Sequence, residues 1–425
     1  MRNMFLSLKV LSRPQFLVLF LGQFMSKSGD RIYGMASLWM TYQLTHSTVA
    51  MSGVEIATLI TVIAVGSFGG VITDGASPLV TMIALDILSG LTLVAIPVLY
   101  MVGHLTVWGL VGTSIILTGT AILFLPSLQG LIPQMATQDE LGPATGILDL
   151  TDRLSKIIGP SIAGTIVVLV PLIHLFTIDA VTFVFSAVSL IFVRSRLHNS
   201  MRNRTSCRPP NPRRTNFVEA MNVSSWMVLM KTPWLRTVTW VRSLNNGLWA
   251  FYTIGSPLFV QSHFNSGIGT WGMVLSAYGA GQVLGNVMAV QFPSQKDSLG
   301  MFMAGWFIIG LSFIGYAMSP SITIAELCIF LAGIGGPIAH VATNTRIGQT
   351  IPHGHMVGVF RLQKMLINVL NGVGMIAAGL AYKYVAPTTG ILCAGLGIVL
   401  IMATSFFIDY LDRTKKPGSY TSIGT

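Results

Sequence analysis

Charge is what this 425-residue chain has least of: Asp, Glu, Lys and Arg together make up 9% of it, against roughly a quarter in an ordinary soluble domain. So few charges cannot keep a surface of this size in water, which excludes a soluble globular protein. Cysteine is scarce as well. Cys207, Cys328 and Cys393 stand far apart and without metal-ligand spacing, so neither a disulfide framework nor a zinc site is expected. No G-x-x-x-x-G-K-[ST] phosphate loop occurs, which points to an ion gradient rather than ATP as the driving force. No nucleophile with a nearby base can be assembled, so no catalytic residue, enzyme activity, cofactor or bound metal is expected.

What fills the chain instead is apolar sequence, 52% of all residues. A bilayer core of ~30 Å needs about 20 residues of helix to cross it. Twelve apolar segments of about that length predict an all-α integral membrane protein with twelve transmembrane helices. They are placed near residues 16–44, 50–73, 79–102, 106–132, 141–170 and 173–193, then near 235–261, 268–292, 299–318, 322–345, 356–385 and 390–410. The stretch RSRLHNSMRNRTSCRPPNPRRTN between the two sets is rich in Arg, Asn, Ser and Pro and reads as a linker. The domains expected are therefore a six-helix bundle over 1–193, a basic linker over 194–232, and a second six-helix bundle with a short tail over 233–425.

The net charge of +11 finds its explanation in placement. The N-terminal end, the linker with its seven arginines from Arg194 to Arg214, and the C-terminal tail fall on one side, while Lys383 alone falls in the opposite loops. That asymmetry predicts both termini in the cytoplasm and insertion in the cell membrane. The linker then needs anionic lipid rather than nucleic acid as its partner. Glycine spacing predicts an internal duplication. Gly66 and Gly70 recur as Gly281 and Gly285, and Gly159 and Gly164 recur as Gly374 and Gly379, always 215 residues on. Small residues at such positions let helix backbones approach closely.

The fifth segment breaks the apolar rule, because it carries Asp149, Asp152, Arg153 and Lys156 before running on through Gly159-Pro160. One charge at the centre of a spanning helix costs about 2.5 to 3.5 kcal/mol on insertion scales. Acid-first spacing of four pairs Asp149 with Arg153 and Asp152 with Lys156 on the helix surface. Such a group is expected either as an ion-paired helix end or as a gate.

Four stretches carry a family resemblance: LGQFMSKSGDRIYGMASLWMTYQLT, LPSLQGLIPQMATQDELGPATGILDLTDRLSKIIGPSIAG, DAVTFVFSAVSLIFVR and, more weakly, TRIGQTIPHGHMVGVF. They resemble the major facilitator superfamily, and within it the branch of macrolide, multidrug and siderophore exporters. The resemblance implies two pseudo-symmetric six-helix bundles that alternate access to a central site. It gives Gly159, Pro160 and Gly164 the place of the antiporter motif, a kinked and closely packed helix. In the loop after the second helix Gly70 and Asp74 match the family's pattern, but its arginines are replaced by Gly75-Ala76-Ser77-Pro78. Asp74 therefore enters as a gating candidate with an incomplete partner set.

Of the fourteen acids, those within or near the membrane are Asp30, Glu55, Asp86, Asp149, Asp152, Asp179 and Glu326. A carboxyl in low dielectric can exchange a proton near neutral pH, and Asp30 and Glu55 are the proton-coupling candidates. Asp86 and Asp179 read as structural. Asp30, Tyr33, Asn245, Asn246, Trp249 and Tyr252 are candidates for contact with substrate, since aromatic rings with a few polar atoms suit amphipathic ligands. Arg236, Arg242, Arg361 and Lys364 read as anchors that snorkel to the interface, and His340 as hydrogen-bonded packing. The function expected is export of amphipathic, cationic or neutral drug-like molecules by proton antiport, by a monomer. The alternatives are a divalent-metal exporter, a lysophospholipid or siderophore transporter, and a non-transporting sensor. Gly29-Asp30-Arg31 also resembles helix one of ferroportins, but Gly34 stands where those carry histidine.

Overall fold

The structure is a computed structural model, described here for residues 10–73, 77–137, 140–201, 223–291, 298–351 and 353–415. Asp74 lies outside this set. So do the side chains of Asp149, Arg153, Lys156 and Pro160, and the surroundings of Gly66, Gly70 and Gly164. The described residues form twelve helices of 20 to 32 residues and one of nine. In chain order these are α1 (Pro14–Thr45), α2 (Thr48–Thr73), α3 (Pro78–Met101), α4 (Val107–Met135), α5 (Leu141–Leu169) and α6 (Ile173–Met201). There follow α7 (Val223–Lys231), α8 (Pro233–Phe264), α9 (Ile268–Gln291), α10 (Ser298–Ala317), α11 (Ile322–Thr350), α12 (His353–Ala381) and α13 (Pro387–Lys415).

Apolarity alone accounts for eight of the twelve long helices as membrane spans: α2, α3, α4, α6, α10, α11, α12 and α13. The other four are diluted by polar residues. α1 carries Lys27, Asp30 and Arg31, α5 its four charges, α8 Arg236 and Arg242, and α9 the amides Gln282 and Asn286 among glycines.

Local signals fix the helix ends. Pro14, Pro78 and Pro233 occupy the first turns of α1, α3 and α8, where a missing N–H costs nothing. Thr106 and Ser321 accept hydrogen bonds from Gly109 N and Ile324 N as N-caps of α4 and α11. α1 and α8 are both 32 residues long and both end on a left-handed non-glycine residue, His46 (φ 48) and Asn265 (φ 50). Within residues 194–232, read from sequence as the linker, α6 runs on to Met201 and Val223–Lys231 is helical. The latter buries Leu229 against Leu235, Ile347, Ile351 and Val359, which explains why a nine-residue segment holds a helix.

Backbone contacts divide the chain into two units, Met1–Glu219 with Ser266–Gly279, and Ala220–Asn265 with Ala280–Thr425. In the first, α1 packs against α6 and α5, α3 against α6 and α4, and α2 against α4. The opening turns of α9 belong to it through Trp271, whose ring stacks on Trp39 at 5.8 Å between centroids. In the second, α8 packs against α12 and α13, and α10 against α11 and α13.

Candidate functional site

The first unit centres on the Lys27–Arg31 turn of α1. Asp30 lies halfway along the helix and is exposed. Its neighbours are turned to α5: Lys27 Nζ donates to Thr151 Oγ1 at 3.2 Å, and Arg31 Nη2 to Asp152 Oδ1 at 3.3 Å. Gly159 of α5 is buried at the same crossing, where an added Cβ would lie 2.7 Å from Arg31 Cβ and 3.3 Å from Ser28 O. The close crossing is what brings the arginine within reach of Asp152. Asp30 itself makes no hydrogen bond or ion pair with a described residue, although Arg31, Lys27 and Asp152 are all within electrostatic reach.

On its other side α1 presents Gly29 to α6. A Cβ there would collide with the Asp179 carboxylate and the Thr182 hydroxyl, so the absent side chain is what seats Asp179 against α1. Asp179 is fully buried; Thr182 Oγ1 donates to its Oδ1 at 3.2 Å, and Oδ2 has no hydrogen-bond partner among the described residues. Asp86 on α3 is also buried with one unpartnered oxygen. One turn beyond Asp30, Tyr33 shares a hydrogen bond of 2.7 Å with Ser114 Oγ and meets Phe176 edge to face at 5.9 Å. Glu55, half-buried on α2, is within electrostatic reach of Tyr33. Sequence reasoning read Asp86 and Asp179 as structural, and their burial is a tertiary fact.

In the second unit the candidates on α8 separate. Trp249 is half-buried, with its ring 5.1 Å from Phe313 and 5.5 Å from Tyr252. Tyr252 is 4% exposed, packed among Trp249, Phe313 and Tyr316. Asn245 is fully buried and neither of its amide atoms has a hydrogen-bond partner among the described residues. Asn246 Nδ2 donates to Arg242 O at 2.8 Å, and its own carbonyl receives Asn371 Nδ2 of α12 at 3.0 Å. Gly374 lets α12 approach this point, since a Cβ there would lie 2.8 Å from Gly247 Cα. Gly159 against α1 and Gly374 against α8 thus hold equivalent crossings in the two units.

Arg242 and His340 form a contact that sequence reasoning missed. The Arg242 guanidinium, half-buried on α8, meets the exposed imidazole of His340 on α11 through Nη2. The available signal was an arginine nine residues inside a helix. Among the described residues no three His, Cys, Asp or Glu side chains gather as a metal site would need.

Comparisons with known proteins agree with this architecture. The chain is 20% identical over 406 residues to macrolide efflux protein A of Streptococcus pyogenes, covering 94% of this chain and 97% of that one. It is 25% identical over 424 residues to the multidrug efflux pump Tap of Mycolicibacterium fortuitum, with 95% and 98% covered. The crystal structure of the nucleoside transporter NupG shares the fold with a TM-score of 0.72 at 11% identity, over 92% of this chain and 99% of that one. Residues 7–420 match the transmembrane secretion effector family. The chain is a member of that family of major facilitator transporters, a multi-pass membrane protein and not an enzyme.

Proposed function

We propose that this transporter exports amphipathic drug-like small molecules in exchange for protons, from a cell membrane in which both termini face the cytoplasm. The observation that carries the reading is the state of Asp30. Its two basic neighbours are turned to Thr151 and Asp152, so the exposed Asp30 side chain, halfway along α1, makes no hydrogen bond or ion pair with a described residue. An acid so placed either takes a proton or holds a cationic group, and coupling requires that the two favour different conformations.

Asp30 and Tyr33 of the first unit are proposed to touch the exported compound, as are Asn245, Asn246, Trp249 and Tyr252 of the second. Glu55 is proposed as a second proton-exchanging group. The Arg31–Asp152 bridge, with Asp149, Arg153, Lys156 and the Gly159-Pro160 and Gly164 positions of α5, is proposed as the gate, and Asp74 as a contributor on the cytoplasmic side. Efflux homology to macrolide and multidrug pumps supports the direction and the substrate class. The test uses proteoliposomes with an imposed pH gradient and ethidium as the transported dye. Gradient-dependent dye movement that a protonophore abolishes is expected. Movement indifferent to the gradient overturns proton antiport.

A further inference from the structure

Arg242 is the charge that the export reading leaves unused. It sits nine residues into the 32-residue α8, about 13 Å from the helix start at 1.5 Å per residue, and so inside the helix rather than at its terminus. Charged side chains within transmembrane helices are almost always paired. Here no carboxylate pairs with it among the described residues. Between residues 233 and 407 the sequence holds only two acids, Asp297 and Glu326. Glu326 is fourteen residues from His340 along α11, roughly 20 Å away.

The guanidinium is held on one side only. Nη2 meets the His340 ring, where a neutral imidazole nitrogen accepts, while Nε and Nη1 make no hydrogen bond with a described residue. Nη2 carries a second hydrogen, and together with Nε–H or with an Nη1 hydrogen it offers one edge of the fork that grips a carboxylate with two parallel N–H···O bonds. Exposure of His340 and partial exposure of Arg242 mean that a solute can reach this edge. The spanning segments of the first unit, by contrast, carry Asp30, Glu55, Asp86 and Asp179.

We infer that Arg242, steadied by His340, is a binding site for a carboxylate group on the exported compound. This rests on the export reading and sharpens its substrate class: acids of the first unit serve protons, and the cation of the second serves the anionic end of the substrate. The test measures equilibrium binding of dansyl-phenylalanine and of its methyl ester to the purified full-length protein in neutral detergent. Wild type is expected to bind the carboxylate at least tenfold more tightly than the ester. Arg242→Gln should bring that ratio to near one with ester affinity unchanged within twofold, and Arg242→Lys should keep part of the preference. Equal wild-type affinities, no saturable binding of the carboxylate, or an unchanged ratio in Arg242→Gln overturns the assignment. Binding needs no gradient. An intact carboxylate preference without gradient-driven flux would therefore overturn proton antiport and leave this site standing.

Discussion

Arg31 on α1 donates to Asp152 on α5 across 3.3 Å, with the two side chains 39% and 38% exposed. An ion pair this open contributes about 0 to 1 kcal/mol to stability, so its significance lies in what it keeps from Asp30. Asp152→Asn is expected to shift thermal unfolding very little. It should lower gradient-driven transport by about tenfold, because Arg31 is released beside the Asp30 carboxylate. Parallel melting and flux measurements check both halves, and unimpaired flux removes the bridge from the mechanism.

Gly374 and Gly53 make a matched pair for packing. A Cβ on Gly374 would lie 2.8 Å from both the Cα and the carbonyl carbon of Gly247, backbone atoms that cannot rotate away, whereas nothing stands within 4 Å at Gly53. Forcing atoms into a packed contact typically costs about 1 to 3 kcal/mol. Gly374→Ala should lower the unfolding midpoint clearly, and Gly53→Ala should leave it unchanged or slightly raised. Equal midpoints would contradict the close approach of α12 to α8.

Glu140 gives a pH dependence outside the membrane spans. Its carboxylate accepts from Thr137 N at 3.2 Å and from both terminal nitrogens of Arg13 at 2.5 and 3.0 Å. The backbone bond from Thr137 first, and then Arg13, hold its pKa below the ordinary 4.5. A carboxyl lowered on folding stabilises above its unfolded pKa, and that contribution is lost as pH falls through the folded value. Glu140→Gln should therefore destabilise by about 1 to 2 kcal/mol at neutral pH. Wild type and variant should converge below the usual carboxylate range. Unfolding midpoints measured across pH 3 to 7 decide it; a constant difference would contradict the bridge.

The helices were largely legible in the sequence, and the site only in part. Apolar length and Pro14, Pro78 and Pro233 mark spans and starts, because these are one-dimensional facts. The triplet Gly29-Asp30-Arg31 stands out as charge in an apolar run. What sequence spacing could not supply was partners on other helices: the Lys156 side chain expected four residues on lies outside the described residues, and Asp152 meets Arg31, 121 residues away. Arg242 and His340 are 98 residues apart and meet only because α8 and α11 come together. The helix at Val223–Lys231 was hidden for a similar reason, since its burial depends on Ile347 and Val359 of other elements.

The central claim, that Asp30 couples export to protons, is tested most directly by comparing driven accumulation with passive exchange in proteoliposomes for wild type and Asp30→Asn. The account predicts that the variant loses at least tenfold of the pH-gradient-driven ethidium accumulation while exchange without a gradient persists. Full gradient-driven accumulation by Asp30→Asn would contradict it.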